Sequence, residues 1–161
     1  MKLNNFGKLI ISILICLGAG FLGSAFTTPS IATWYAFLEK PSFSPPNWLF
    51  APVWTILFIM MGIALSIIWK KGFKKSNAGK NKEAIIIFFI QLALNITWSF
   101  CFFYWHAPFW AFIDIIILWF FILITLIKFW KINKVAGGLL IPYLLWVSFA
   151  SFLNYAIYRL N

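Results

Sequence analysis

Long apolar stretches without a charged residue, divided by short polar segments, make up almost the whole sequence. These uncharged runs cover residues 9–38, 41–69, 84–113, 115–127 and 135–158. A helix of about 20 apolar residues is long enough to cross the hydrocarbon core of a bilayer. The pattern therefore predicts five membrane-spanning helices, at approximately residues 8–27, 46–69, 84–103, 108–129 and 135–158.

The apolar runs are continuous, whereas the strands of a membrane β-barrel alternate apolar and polar residues. We therefore expect an all-α integral membrane protein in which residues 1–161 form one five-helix transmembrane domain. The loop over residues 27–46, between the first two spans, is unusually long, and residues 34–54 contain four of the seven prolines. Such a stiff, aromatic loop, which we expect to be partly helical, suits a lid over something bound between the helices.

Composition and charge support this assignment. Hydrophobic residues make up 63% and charged residues 10% of the chain, whereas soluble domains carry about 25% charged residues. Of the 13 Lys and Arg residues, eleven fall on the face that holds the N-terminus, and only Lys40 and Arg159 fall on the other. Because cytoplasmic loops are enriched in Lys and Arg, we expect an inner cell membrane protein with a cytoplasmic N-terminus and an external C-terminus. The net charge of +10 then reflects topology, and nucleic acid is not an expected partner.

The N-terminal apolar run continues past the cleavage-like residues 23–25. We therefore expect it to be a retained span rather than a signal peptide. Its small residues at a spacing of four, Ala19 with Gly23 and Gly20 with Ser24, allow close helix approach. We expect this spacing to serve packing inside the bundle, with a dimer face as the alternative.

Polar side chains inside the spans are the first candidates for a functional site, because they are costly in lipid. Gln91, Asn95 and Ser99 recur at a spacing of four and so share one side of the third span. Asp114 lies within the fourth span, where a carboxylate costs ~2.5–3.5 kcal/mol to insert. We expect it to face protein or water and to pair with an amide such as that of Asn95. Helix packing and a binding site both remain open interpretations of this pair.

Depth brings several of these residues together. Four side chains lie five to eight residues inside the outer ends of their predicted spans: Trp54, Asn95, Trp98 and Asp114. At 1.5 Å per residue they share a layer ~8–12 Å deep, on the same face as the 27–46 loop. A pocket beneath a lid follows, to which helices two, three and four contribute.

Nine of the ten tryptophans fall into two groups. Five lie near predicted span ends, where indoles favour the membrane interface: Trp48, Trp69, Trp105, Trp110 and Trp130. Four lie deeper, where an indole N–H needs a partner: Trp54, Trp98, Trp119 and Trp146. Pro142 is expected to kink the fifth span and to open space. A large, flat, mostly apolar ligand would fit among these rings; packing of bulky aromatic side chains is the competing interpretation.

The sequence offers little for metal or nucleophilic chemistry. His106 is the only histidine, and Cys16 and Cys101 lie in different spans. We therefore expect no metal site.

Taken together, these residues resemble the translocator protein family, whose members are also called tryptophan-rich sensory proteins or peripheral-type benzodiazepine receptors. The resemblance covers nearly the whole chain from Leu17 onward, and the Lys-rich, Ile- and Phe-rich composition indicates a bacterial member. It rests on these segments: Gly18–Phe26, Trp34-Tyr35, Leu38–Pro46, Pro52–Trp54, Gln91–Asn95 with Trp98, Asp114, Pro142–Trp146, Phe149-Ala150 and Leu153–Tyr155.

The resemblance implies a five-helix bundle, usually a homodimer, that binds porphyrins such as protoporphyrin IX as a ligand rather than a cofactor. The ligand-binding residues it implies are Tyr35, Pro45, Phe50, Trp54, Phe58, Asn95, Trp98, Ser99, Phe102, Asp114, Trp146 and Ala150. The implied function is sensing or regulating porphyrin levels under stress. Light-dependent porphyrin degradation, with Trp54 and Trp146 as the catalytic residues, is an alternative. Transport of porphyrins or other small lipophilic molecules is another.

Two details bear on ligand preference. Leu153, Tyr155 or Tyr158, and Arg159 fit a weak sterol-contact pattern, which leaves sterol binding open. Phe43 stands where many members of the family have tryptophan.

Overall fold

The structure, a computed structural model, describes residues 4–71 and 78–161, and these fold entirely as helices and their connections. Lys2, Lys74 and Lys75, which contribute to the predicted charge asymmetry, lie outside the described residues. The helices are α1 (Asn5–Ile31), α2 (Trp34–Phe37), α3 (Asn47–Lys71), α4 (Ala78–Ser99), a π-helical continuation of α4 (Phe100–Tyr104), α5 (Pro108–Ile132), α6 (Lys134–Gly138) and α7 (Ile141–Leu160).

Within residues 4–71 and 78–161, five helical segments are long and apolar enough to cross a membrane, which confirms the predicted fold class. They cover Asn5–Ile31, Asn47–Lys71, Gly79–Tyr104, Pro108–Ile132 and Lys134–Leu160. The first runs four residues beyond its predicted end and includes Pro29 in its last turn. The segment between α1 and α3, residues 32–46, is called the connector below; it holds α2 and is partly helical, as predicted.

The fifth span is interrupted, and here the sequence prediction was wrong in detail. A turn at residues 139–140 separates α6 from α7, so Pro142 lies in the first turn of α7 and not in the middle of a kinked helix. Proline is tolerated at this position because the first backbone N–H groups of a helix have no intrahelical acceptor. Asn133 caps α6 by accepting hydrogen bonds from the backbone of Val135 and Ala136, at 3.0 and 3.1 Å.

Small residues allow the helices to approach closely at the end of the bundle away from the connector. A Cβ atom added to Gly62 on α3 would lie 2.6 Å from the Cα atom of Ile13 on α1. A Cβ atom added to Gly137 on α6 would lie 2.7 Å from backbone atoms of Trp130 on α5. Since lipid is as apolar as a protein core, close packing of this kind is a main source of helix association in membranes.

Two tryptophans of the deep group find the partners that their N–H groups need. Trp98 Nε1 donates to Asn154 Oδ1 at 2.9 Å, and Trp119 Nε1 donates to Ser148 Oγ at 2.7 Å. Both bonds join different spans. These partly buried indoles therefore act as polar links between helices as well as apolar filling.

Candidate functional site

A cavity of about 490 Å³ lies between the helices in the half of the bundle next to the connector. Its walls come from α1 from Leu17 onward, the first half of α3, the end of α4 with its π-helical continuation, and α7 from Trp146 onward, and Tyr35 of α2 also lines it. The lining is mainly apolar. Pockets for small molecules are typically ~300–1,000 Å³ with a few placed polar groups, and this cavity fits that description.

Most of the residues expected from the sequence lie at this cavity. Ten of the twelve line it: Tyr35, Phe50, Trp54, Phe58, Asn95, Trp98, Ser99, Phe102, Trp146 and Ala150. Pro45 and Asp114 are not among the lining residues. That the ten bind a ligand stays a prediction.

Asp114 shows that depth in the membrane alone does not identify the residues that line the cavity. It lies on α5 and is only 9% exposed, but α5 contributes no residue to the cavity wall. The amide of Asn95 donates to the Tyr143 hydroxyl at 3.0 Å, so the expected pairing with Asp114 is not found. The Asp114 Oδ2 atom is buried and has no hydrogen-bond partner among the described residues. The expectation that helices two, three and four build the pocket is therefore wrong for helix four.

Helix α1 takes the place that the sequence assigned to helix four. Eight of its residues line the cavity: Leu17, Gly20, Phe21, Gly23, Ser24, Thr27, Thr28 and Ile31. The small residues of this segment were the sequence feature that could have indicated its place in the cavity wall. Ala19 and Gly23 are buried inside the bundle, as expected of packing positions, and Gly20, Gly23 and Ser24 border the cavity.

The polar stripe of α4 forms a buried network at the inner end of the cavity. The Tyr143 hydroxyl donates to Gln91 Oε1 at 2.9 Å and accepts from Asn95 Nδ2 at 3.0 Å. Gln91 is 1% exposed and Tyr143 is also 1% exposed. The network fixes the Asn95 side chain, which lines the cavity, through a chain of side chains that reaches α7.

Another amide, which the sequence analysis did not place at the site, supports the cavity wall at Trp98. Asn154 on α7 accepts from Trp98 Nε1 at 2.9 Å and donates through Nδ2 to the Pro108 carbonyl oxygen at 2.8 Å. Trp98 in turn stacks on Phe102 with ring centroids 5.5 Å apart. Asn154 therefore sets the plane of an aromatic wall. An amide side chain within the fifth predicted span was the sequence feature that could have identified Asn154.

The π-helical continuation of α4 explains the density of rings at this wall. Its wider turn brings three consecutive side chains inward, Cys101, Phe102 and Phe103, all of them buried. Phe102 and Phe103 both line the cavity, with their ring centroids 4.8 Å apart. In a regular α-helix successive side chains point about 100° apart. Single-turn π-helical segments are frequent at functional sites.

Rings also close the gap between α3 and α7. Phe50 meets Trp146 edge to face at 5.9 Å, and Trp54 meets Tyr143 at 6.2 Å. The Nε1 atom of Trp146 is buried without a hydrogen-bond partner among the described residues. Both deep indoles implicated by the resemblance, Trp54 and Trp146, thus border the same cavity.

The connector is fastened over the cavity at several points. Trp34 stacks on His106, with centroids 4.4 Å apart, and His106 adopts a left-handed φ of 51°. The Asn161 side chain bonds both the N–H and the carbonyl oxygen of Glu39, each at 3.0 Å. Burial raises the pKa of the Tyr35 hydroxyl above its usual value, so Tyr35 stays protonated at neutral pH and keeps its capacity to donate.

No group of three or more His, Cys, Asp or Glu side chains suited to a metal ion occurs in residues 4–71 and 78–161. The groups that face the cavity are amides, hydroxyls and rings. This chemistry suits non-covalent recognition of a large apolar molecule with a few polar atoms.

In the described part of the chain, five helices are able to span a membrane, and four of these spans line an aromatic cavity next to the connector. These features define a multi-pass membrane protein with an internal cavity. The sequence model of the TspO/MBR family matches residues 12–159, and the chain belongs to that family. This confirms the resemblance drawn from the sequence.

Several relatives match over nearly their whole length. The chain is 48% identical over 153 residues to the tryptophan-rich protein TspO of Chlorobaculum tepidum, covering 95% of each chain. It is 47% identical over 157 residues to the protein of the same name from Archaeoglobus fulgidus, covering 98% of this chain and 99% of that one. It is 36% identical over 153 residues to the translocator protein of Bos taurus, covering 93% and 87%.

Proposed function

We propose that this protein binds a tetrapyrrole of the protoporphyrin IX type in the cavity beneath the connector, and that it senses or regulates porphyrin levels. The observation that carries the proposal is a cavity of about 490 Å³ walled by flat rings and provided with the Asn95 amide. A porphyrin is a large, flat, apolar macrocycle with carboxylates at one edge, so stacked aromatic walls and a few donors match its chemistry.

A positive charge lies where the polar edge of such a ligand would reach the membrane surface. The Lys40 ammonium sits over the Tyr35 ring, 4.7 Å from its centroid, and Tyr35 lines the cavity. A carboxylate beside this ammonium would gain a charge-assisted hydrogen bond. The macrocycle would then extend inward between Trp54, Trp98 and Trp146.

Quenching of tryptophan fluorescence by protoporphyrin IX in detergent, in the dark, tests the proposal. We expect saturable quenching and a dissociation constant about tenfold higher for Asn95→Leu, equivalent to ~1.4 kcal/mol, because the variant removes the amide donor at the cavity wall. Thr97→Leu is the matched control, since Thr97 is exposed on the same helix and is not among the lining residues. Equal affinity in wild type and Asn95→Leu would contradict a polar site here.

Light-dependent degradation of the porphyrin is a second candidate, supported by Trp54 and Trp146 bordering one cavity. A photoexcited porphyrin next to an oxidisable indole has an electron donor in contact, and a closed site would confine the products. Illumination should then bleach protoporphyrin IX with wild type and more slowly with Trp54→Phe or Trp146→Phe, while both variants still bind in the dark. Equal bleaching in all three proteins would rule out an indole-dependent reaction.

The proposal also includes an orientation and an assembly. Eight described lysines cluster at the end of the bundle away from the connector, against Lys40 and Arg159 at the other end: Lys8, Lys70, Lys71, Lys80, Lys82, Lys128, Lys131 and Lys134. This distribution supports a cytoplasmic N-terminus in the inner membrane, with the connector outside. One domain of five helices per chain, paired as a homodimer, completes the proposal.

A further inference from the structure

The two helices that enclose one side of the cavity, α1 and α3, separate as they approach the connector. Where they are closest, a Cβ atom on Gly62 would lie 2.6 Å from the Ile13 backbone. Nearer the connector, a Cβ atom on Gly20 would meet not backbone but the ring of Phe58, at 2.6 Å. A whole side chain therefore stands between the helices at Gly20, and the cavity begins at this level.

Beyond Phe58, five residues border the cavity and the outer surface of the bundle at once. Phe21, Ser24 and Thr28 on α1, with Ala51 and Thr55 on α3, all line the cavity and are all exposed. Phe21 is 74% exposed. The wall formed by α7 differs, because its lining residues Leu153 and Ile157 are only 5% and 2% exposed. The cavity is thus closed on the α7 side and open between α1 and α3. We call this opening the portal.

Two of the three hydroxyl groups that border the portal are hydrogen-bonded within their own helices. The Ser24 hydroxyl donates to the Phe21 carbonyl oxygen at 2.8 Å, and the Thr55 hydroxyl donates to the Ala51 carbonyl oxygen at 2.8 Å. Bonds of this local kind leave a hydroxyl without a need for water. An apolar molecule can therefore pass Ser24 and Thr55 from the hydrocarbon without leaving their hydroxyl groups unpaired, and unpaired polar groups are costly in lipid.

The connector offers more resistance to an entering molecule than the portal does. A molecule that enters from the water must displace the connector, which is held by both bonds between Glu39 and Asn161 and by the stack of Trp34 on His106. A flat apolar molecule also concentrates in the bilayer rather than in water. Both facts favour entry of the ligand from the side of the protein that faces the membrane.

We propose that the ligand enters and leaves the cavity from the hydrocarbon region of the bilayer, through the portal between α1 and α3. This inference rests on the proposed porphyrin site and adds its route of access. Phe21 is the one bulky side chain among small ones in the portal, so its ring sets the width of the opening.

Binding kinetics in lipid nanodiscs, with protoporphyrin IX as the probe, test the route. Thr55→Phe and Ala51→Phe each narrow the portal, and we expect association and dissociation both to slow by about tenfold, within the range by which variants of one site alter rates. Phe21→Ala widens the portal and should accelerate both steps. Slower dissociation is the decisive sign, because a substitution that merely weakened binding would accelerate release.

Two control variants complete the design. Thr97→Phe has the same chemistry as Thr55→Phe, since the Thr97 hydroxyl also donates to its own helix, to Ala93 at 3.1 Å, but Thr97 lies away from the cavity. We expect it to leave both rates unchanged. Asn161→Ala removes the two bonds that hold Glu39 of the connector to the end of α7, and it should likewise leave both rates unchanged. Association in wild type should follow the amount of porphyrin per lipid, not its aqueous concentration.

The outcomes separate the two proposals. Faster porphyrin association and dissociation in Asn161→Ala, together with unaltered rates in Thr55→Phe and Ala51→Phe, would show entry past the connector. That result would overturn the portal and leave the proposed porphyrin site intact. The absence of saturable binding to wild type would contradict the site and the portal together. Circular dichroism and thermal unfolding of each folded variant exclude a general loss of structure as the cause of altered rates.

Discussion

The two halves of this bundle use the same kind of side chain for opposite purposes. In the half away from the connector, called here the packed half, aromatic rings fill space: Phe88 stacks on Phe129 at 5.7 Å, and both are 0% exposed. In the half next to the connector, the cavity half, rings such as Phe50 and Trp146 border an opening of about 490 Å³. Aromatic content alone therefore does not distinguish a core from a binding site.

The spacing of the helices makes the difference. Gly62 and Gly137 bring backbones into contact in the packed half, so the space left is the size of side chains. In the cavity half, Phe58 holds α1 and α3 apart, and the aromatic contacts of Phe50 and Trp54 bridge α3 to α7 without filling the centre. A substitution should consequently act on stability in one half and on binding in the other.

Truncating one ring in each half is the strongest test of this contrast. Phe88→Ala should lower the free energy of unfolding by about 3 kcal/mol, because it leaves a void in a closed core. Phe50→Ala should lower it by only about 1 kcal/mol, since one side of that ring already faces a cavity, but should weaken porphyrin binding more. Thermal unfolding in detergent and fluorescence quenching measure the two effects. Equal loss of stability in both variants would remove the distinction between the halves.

Adding a methyl group gives a smaller effect with a clear internal control. Gly62→Ala should destabilise the protein by about 2 kcal/mol, because the new Cβ atom meets the Ile13 backbone, which cannot move aside cheaply. Gly18→Ala, where nothing lies within 4 Å, should be neutral or stabilising by about 0.5 kcal/mol. Gly20→Ala should fall between them, since the ring of Phe58 can turn toward the cavity. Thermal unfolding that ranks Gly20→Ala as the most damaging would contradict this account of the helix spacing.

The smallest expected effect is at the boundary between the halves. Tyr143→Phe removes both hydrogen bonds that join Gln91 and Asn95 to α7 and should cost about 1 kcal/mol, typical of polar links between membrane helices. It should also loosen Asn95 and so weaken porphyrin binding. Tyr104→Phe, at a side chain that is 62% exposed, is the matched control. Unfolding and binding identical to wild type would show that the network does not position the cavity wall.

Much of the site could be predicted from the sequence because membrane depth follows directly from position in a span. Asn95, Trp98 and Trp54 were placed at one level by the rise of a helix, and they do border one cavity. Asp114 was placed at the same level but lies outside the cavity, since depth says nothing about the direction in which a helix turns its residues. The contribution of α1 was missed for the same reason.

Five spans, their all-helical nature and the polar stripe of α4 were determined by the sequence itself, because lipid leaves an apolar chain of this length few alternatives. Only the tertiary structure decided which helix faces which neighbour. In the structure α1 lines the cavity and α5 does not. The fifth span is interrupted at residues 139–140, and a π-helical turn directs Phe102 and Phe103 inward. The physical reason is that a periodic pattern defines the faces of one helix, whereas contacts between helices depend on where small residues such as Gly62 let two backbones meet.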